Sequence, residues 1–385
     1  MRVTVSGVAF ALFFAVAPAA SAGGAMGLPV LMCLAAARAL RPSHLRQVIE
    51  SKPIALWLLL SFWAWVLATS AWSAQPGFAQ AGKLALLAPL GLVFVAAAGA
   101  ESNRRLVQAF GVAAFAVLVA LMTIEALWDL PLNRAANPDI PPSEVVRNVN
   151  RGAAVVLAMT WGAAAGLIAS GRSGLARAVL AASAILALPF GLWANLVAFV
   201  IALIVFAVAF GAPRFALLSV SGGLSLWMLA APFATPLILA NQRLVDALPL
   251  SWAARVGIWD YVCARILEQP WIGHGLDASR AVTDRIQVRE LDMRGIPLHP
   301  HSASLQIWYE TGAVGAALAA AALLAGGWTL SRVFADNRPA AAGAAATMAA
   351  LGVIANVSFG IWQEWWLATM FIAAALVAAL AIKRA

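Results

Sequence analysis

The chain reads as a series of long apolar runs broken by short polar connections. The runs fall at 5–22, 25–40, 54–72, 83–100, 106–128, 152–170, 175–191, 193–211, 214–236, 302–330, 338–360 and 362–382. A helix needs about 20 mostly apolar residues to cross a hydrocarbon layer, and most of these runs supply close to that. The alternating ten-residue segments of a membrane barrel are missing. The pattern predicts an all-α polytopic membrane protein with about 12 transmembrane helices.

Two connections are longer than the rest, 129–151 and 237–301. The second divides the chain into helices 1–9 (1–236), a loop with amphipathic helices (237–301) and helices 10–12 (302–385). This loop holds seven Arg and seven acids, and a loop of that length in a compact protein is usually functional. Within it, 251–268 predicts an amphipathic helix with Trp252, Val256, Trp259 and Ile266 at helical spacing. Pro270 stops that helix, and Gly273 and Gly275 permit a tight turn. Asp277 to Arg294 is polar and is read as another short helix.

Composition excludes a soluble domain. The chain is 63% hydrophobic and 11% charged, with a mean hydropathy of +0.88. Soluble domains run at roughly 45–50% apolar and about 25% charged. The net charge of +9 would suggest nucleic acid in a soluble protein. Here it has a different source. With the N-terminus in the cytoplasm, 14 of the 25 cations fall on cytoplasmic connections, against three acids, Glu50, Glu101 and Asp336. The cations include Arg2, Arg38, Arg41, Arg46, Lys52, Arg104, Lys383 and Arg384. That is the positive-inside bias, with both termini cytoplasmic and no nucleic-acid partner implied. Ala-Ser-Ala-Gly at 20–23 resembles a signal cleavage site, but the first run is read as a retained span. Cys33 and Cys263 are too few for a disulfide framework or a cysteine metal site.

No Walker loop, Gly-x-Ser-x-Gly or His-Glu-x-x-His is present, so neither ATP chemistry nor a zinc hydrolase is implied. The candidates lie at the outer mouth of the helices. His301 opens span ten, where it could cap the helix or accept a proton from a hydroxyl. His299 and His274 raise a metal site, which would need all three. Arg255, Arg151 and Lys83 could bind an anion or a lipid headgroup. Arg147 is read as preceding the helix that carries Arg151. Glu310 lies about 13 Å along span ten at 1.5 Å per residue. An ionisable group at that depth is either functional or paired with an arginine. Asn195 and Asn356 are read as interhelical hydrogen-bond glue, and Gly312 and Gly315 as close-approach points. Trp72, Trp128, Trp193, Trp252, Trp259, Trp271, Trp362, Trp365 and Trp366 read as an aromatic belt, or as a wall for lipid or sugar rings.

These residues also carry a resemblance. His301-Ser302, then nine residues, then Gly312-Ala-Val-Gly315, resembles the signature of the O-antigen ligase and polymerase superfamily. Arg255-Val-Gly-Ile-Trp259 and Pro270-Trp-Ile-Gly273-His-Gly275 resemble its Arg-x-x-x-Trp segment and Pro-x-x-Gly-x-Gly turn. Some ligases carry Leu where Trp259 stands. The resemblance implies an inverting, metal-independent glycosyltransferase of a bacterial inner membrane, without cofactor, acting at the periplasmic face. Its donor would be a glycan on undecaprenyl diphosphate. Its acceptor would be lipid A–core oligosaccharide for a ligase, or another lipid-linked glycan for a polymerase. By that resemblance His301 activates the acceptor and Arg255 and Arg151 hold the diphosphate. Lys83, Glu310 and Ser302 are further substrate-binding candidates, with Gly312, Gly315 and Trp259 as motif residues. A transporter is the reading from another class, disfavoured by few intramembrane charges and no evident inverted repeat.

Overall fold

A computed structural model describes residues 5–40, 53–75 and 78–381. Arg2, Arg41, Arg46, Glu50, Lys52, Lys383 and Arg384, which enter the charge count, lie outside the described residues. Every predicted apolar run forms a helix. They are α1 (Val5–Ala22), α2 (Leu28–Ala39), α3 (Ile54–Ala68), α4 (Phe78–Ala98) and α5 (Arg104–Leu127). A short α6 (Pro131–Ala136) precedes α7 (Pro142–Ala169), α8 (Ser173–Leu186), α9 (Trp193–Gly211) and α10 (Pro213–Leu239). After the loop come α13 (Ala303–Val333), α14 (Arg338–Val357) and α15 (Glu364–Ala378), where α11 (Gln242–Asp246) and α12 (Leu250–Ile266) belong to the loop itself.

Nine of these helices, among the described residues, are long and apolar enough to cross a membrane, α3 when taken with the 3-10 turn Thr69–Trp72 that continues it. The protein is thus an α-helical polytopic membrane protein, with one short hairpin in its loop. The other three predicted spans are helical but short: α2, α8 and α15 have 12, 14 and 15 residues. At 1.5 Å per residue they reach about 18–22 Å, less than a hydrocarbon core of about 30 Å.

The centre of the bundle is α7, which packs against α1, α5, α8, α14 and α15. Its Ala, Gly and Val side chains from Gly152 to Ala165 are buried almost without exception. α14 is equally rich in buried Ala, and two helices faced with small residues can approach closely. α13 packs on α3 and α10, and α9 on α14.

Three local expectations are corrected. The segment 277–294 is not a helix. It makes a 3-10 turn, Ala278–Ala281, and a hairpin of β1 (Arg285–Val288) and β2 (Leu291–Arg294). The strands are antiparallel, with Ile286 opposite Met293 and Val288 opposite Leu291. These apolar residues alternate with polar ones, which is the period of a strand. Second, α7 begins at Pro142, well before the apolar run. Arg147 therefore lies inside the helix, one turn before Arg151 and on the same face. Pro141-Pro142 explains the early start, because proline at the first helical position is preorganised for it. Third, the tryptophans are not one belt. Trp128, Trp193 and Trp271 are exposed, whereas Trp362, Trp365 and Trp366 are buried.

Candidate active site

The loop is fastened to α13 by backbone pairing. α13 is interrupted at Gly312, whose φ of 66° and ψ of −169° lie in a region open essentially only to glycine. The break frees backbone groups that would otherwise belong to the helix. Tyr309 and Glu310 carbonyls accept from the His274 and Gly275 amides at 2.8 and 2.9 Å. Ala313 N–H donates to Pro270 O at 2.8 Å. Gly273 faces the same break: a Cβ there would come within 2.6 Å of the backbone of Glu310, Thr311 and Gly312. The glycines of the two motifs thus meet, and what approaches Gly312 is loop backbone. Gly315 is enclosed by its own Thr311 and by Trp65 of α3.

Glu310 closes this seam. Its carboxylate is fully buried and accepts four bonds. Asp277 N–H and Trp362 Nε1–H donate to Oε2 at 2.7 and 2.6 Å. Ser279 Oγ–H and Gln306 Nε2–H donate to Oε1 at 2.5 and 3.1 Å. The partner is not the arginine the sequence suggested. Four donors converge on an acceptor-only group, the arrangement of an ionised carboxylate. With every lone-pair direction occupied and no surface exposed, Glu310 has nothing left to offer a substrate.

A cavity of about 500 Å³ opens between α7, α12 and the segments before α13 and after α14. It is lined by Arg147 and Arg151 of α7, Ser251, Trp252 and Arg255 of α12, His299 and His301, and Ser358 and Phe359 after α14. Three predicted residues, Arg151, Arg255 and His301, therefore converge on one space. Among the described residues no Asp or Glu lines it. The Arg255 guanidinium stacks over the Trp252 ring at 5.1 Å and donates through Nη1 to Ser251 O at 3.1 Å. Its Nε is buried with no partner, as is Asn150 Oδ1 on the same wall. Burial lowers the Arg255 pKa from its usual value. Arg151 lies over Trp365 at 5.8 Å and donates to Asn148 Oδ1 at 3.2 Å. Arg147 pairs with Glu144 at 2.8 Å.

His301 sits just before the α13 cap. Its Nδ1 is 2.6 Å from Ser358 O. A carbonyl can only accept, so Nδ1 carries the proton and Nε2 keeps its lone pair. Burial lowers the His301 pKa to about 4, the nearby Arg255 charge acts in the same direction, and the bond to Ser358 opposes both. The ring is neutral at ordinary pH. Trp259 Nε1–H donates to Pro300 O at 2.8 Å and fixes the preceding residue.

Other candidates lie elsewhere. Lys83 is inside α4, pairs with Glu364 at 2.9 Å, and does not line the cavity. Ser302 is buried and its hydroxyl caps α13, accepting from Leu305 N–H. It borders a second, mostly apolar cavity of about 370 Å³ instead. His274 stacks on Tyr309 and contacts Arg265 O, apart from His299 and His301. Asn356 does bridge helices, accepting from Ser304 N–H at 3.1 Å. Two contributors were not foreseen. Arg147 was signalled by its four-residue spacing from Arg151. The Ser358 carbonyl carries no signal, because any residue supplies one.

Comparison with known proteins places the chain as follows. Residues 149–320 match the O-antigen ligase family. That span contains Arg151, Arg255, His301, Glu310, Gly312 and Gly315, and excludes Lys83. A candidate polysaccharide ligase of Rickettsia conorii is 30% identical over 123 residues, covering 31% of this chain and 29% of the relative. Counterparts of the same name from Rickettsia typhi and Rickettsia bellii are 30% and 31% identical over 121 and 127 residues. The chain thus spans under a third of the length of these relatives. No solved structure matches. The match of 149–320 and these relatives support the O-antigen ligase superfamily, the family that the motifs around Arg255 and His301 resemble.

Proposed function

We propose that the chain moves a glycan from undecaprenyl diphosphate to the lipid A–core oligosaccharide, at the periplasmic face of a bacterial inner membrane. The observation that carries this reading is the cavity: three guanidinium groups, no carboxylate among the described residues, and one histidine nitrogen free to accept a proton.

In this reading the acceptor hydroxyl gives its proton to His301 Nε2 as its oxygen attacks the anomeric carbon. The bond from that carbon to the diphosphate breaks, and the diphosphate leaves with the electron pair. Attack opposite the leaving group inverts the anomeric centre. Arg255 and Arg151 take up the developing charge, a role in which guanidinium groups replace a metal. The buried, unpartnered Nε of Arg255 is a donor waiting for such an acceptor. Twelve spans, cytoplasmic termini and the division at 236 and 301 complete the proposed topology.

The test is a strain lacking the protein, complemented with the wild type or with His301→Ala. Normal-length glycan left on the lipid carrier in both the deletion and the variant supports ligation. A single repeat joined to the core means the polymerase reaction instead. Core-attached O-antigen at wild-type level with His301→Ala removes His301 as the base.

A further inference from the structure

His299 is a buried ionisable group that this chemistry leaves unused. It lies two residues before His301, and the two rings pack edge to face with centroids 4.3 Å apart. His301 adopts a left-handed backbone, φ 58°, that residues bearing a Cβ avoid. It also precedes the α13 cap, so its amide has no helical partner. That amide donates to His299 Nδ1 at 3.2 Å. We propose that His299 is a positioning residue, which accepts the His301 amide and so holds the base in the conformation that presents Nε2 to the cavity. The inference rests on the reading of His301 as base.

The same connector supports both rings. Ser358 O takes the His301 Nδ1–H, and Gly360, two residues on, backs His299. A Cβ at 360 would come within 2.8 Å of His299 Cγ. An accepting Nδ1 requires the His299 proton on Nε2 and a neutral ring. Burial holds the His299 pKa well below its usual value, helped by His301, Arg280 and Arg255. The ring is therefore kept in the one form that can accept.

Asparagine tests this cleanly, because its Oδ1 is bonded to Cγ as Nδ1 is and can accept the same amide. Leucine fills similar volume and cannot. The full chain in lipid nanodiscs would be given undecaprenyl-diphosphate-linked O-antigen and lipid A–core, with wild type and His301→Ala alongside. His299→Leu should lower kcat about 10²-fold, the scale of an ångström-level misplacement. The donor KM should move only a few-fold, and His299→Asn should restore kcat to within a few-fold of wild type. If the leucine variant does not insert, His299→Gln replaces it, since its acceptor lies one bond too far. Wild-type kcat with His299→Leu, or equal loss in the leucine and asparagine variants, overturns the proposal. If His301→Ala is inactive in that case, the base reading stands and only the role of His299 falls. Transfer by His301→Ala would defeat both.

Discussion

The carboxylate of Glu310 is the point where loop and bundle are most exposed to a single-atom change. Glu310→Gln keeps shape and removes one acceptor. Two orientations of the new amide are available. With its oxygen at the Oε2 position, Asp277 N–H and Trp362 Nε1–H stay satisfied. Its NH₂ then faces Ser279 Oγ and Gln306 Nε2. The serine hydroxyl can turn and accept. The glutamine cannot flip, because its Oε1 accepts from Ile361 N–H at 3.0 Å. One buried N–H is left opposite another donor. The other orientation strands a backbone and an indole N–H together and is worse. An unsatisfied buried donor costs about 1–3 kcal/mol, and each surviving bond loses about 1 kcal/mol of charge assistance. Relief from burying a charge offsets part of this. The seam should weaken by about 2–4 kcal/mol, an increase in opening of about 30-fold to about 10³-fold. Hydrogen exchange of the 273–280 amides in detergent reads that opening directly, with the β1–β2 hairpin as internal control. Exchange unchanged by Glu310→Gln would mean that the four donors do not hold the loop.

The remaining predictions concern the seam, the cavity and one ion pair outside both. Gly312→Ala places a Cβ against the Trp271 carbonyl in a conformation that costs a non-glycine residue about 1–3 kcal/mol, and should raise protease cleavage within 267–281. Transfer by His301 requires the neutral ring. With its pKa lowered to about 4, the rate should stay flat from neutral pH down and fall only near pH 4. A fall centred near 6.5 would indicate an unburied imidazole. Arg255→Lys trades a forked donor for a point charge and should raise the donor KM about tenfold in a titration with undecaprenyl diphosphate-linked glycan. Lys83→Ala removes an ion pair whose lysine is exposed and whose Glu364 is half-buried, and should lower stability by about 1 kcal/mol or less in detergent unfolding.

Much of this was legible in the sequence, for identifiable reasons. Long apolar runs encode helices directly, so every run became one. Arg255 and His301 were legible because each belongs to a motif of fixed spacing, Arg255 with Trp259 and His301 with Gly312 and Gly315. The hairpin was misread although Ile286, Val288, Leu291 and Met293 alternate. Its turn, Arg289-Glu290, lacks the Gly or Asn that marks most two-residue turns, and Arg289 takes φ 52° regardless. Glu310 was legible as a buried charge but not as a clasp. Three of its four partners lie 31 and 33 residues upstream and 52 downstream, and one of them is a backbone amide, which no residue type announces.

The two glycine motifs pose the same problem in a more instructive form. Each reads separately as a turn or a close approach, about 40 residues apart. In the fold they are one contact. Gly312 breaks α13 so that its carbonyls and amides can pair with 270–275, and Gly273 removes the side chain that would block that pairing. The seam ties the segment after α12 to α13, and α12 itself, which carries Arg255, packs on the helix that His301 precedes. Spacing between motifs can vary with the loop, but the pairing demands glycine on both sides. The signature is thus in good part a docking interface. The reactive groups it places beside one another, a guanidinium and an imidazole, come from segments that would otherwise be free to part.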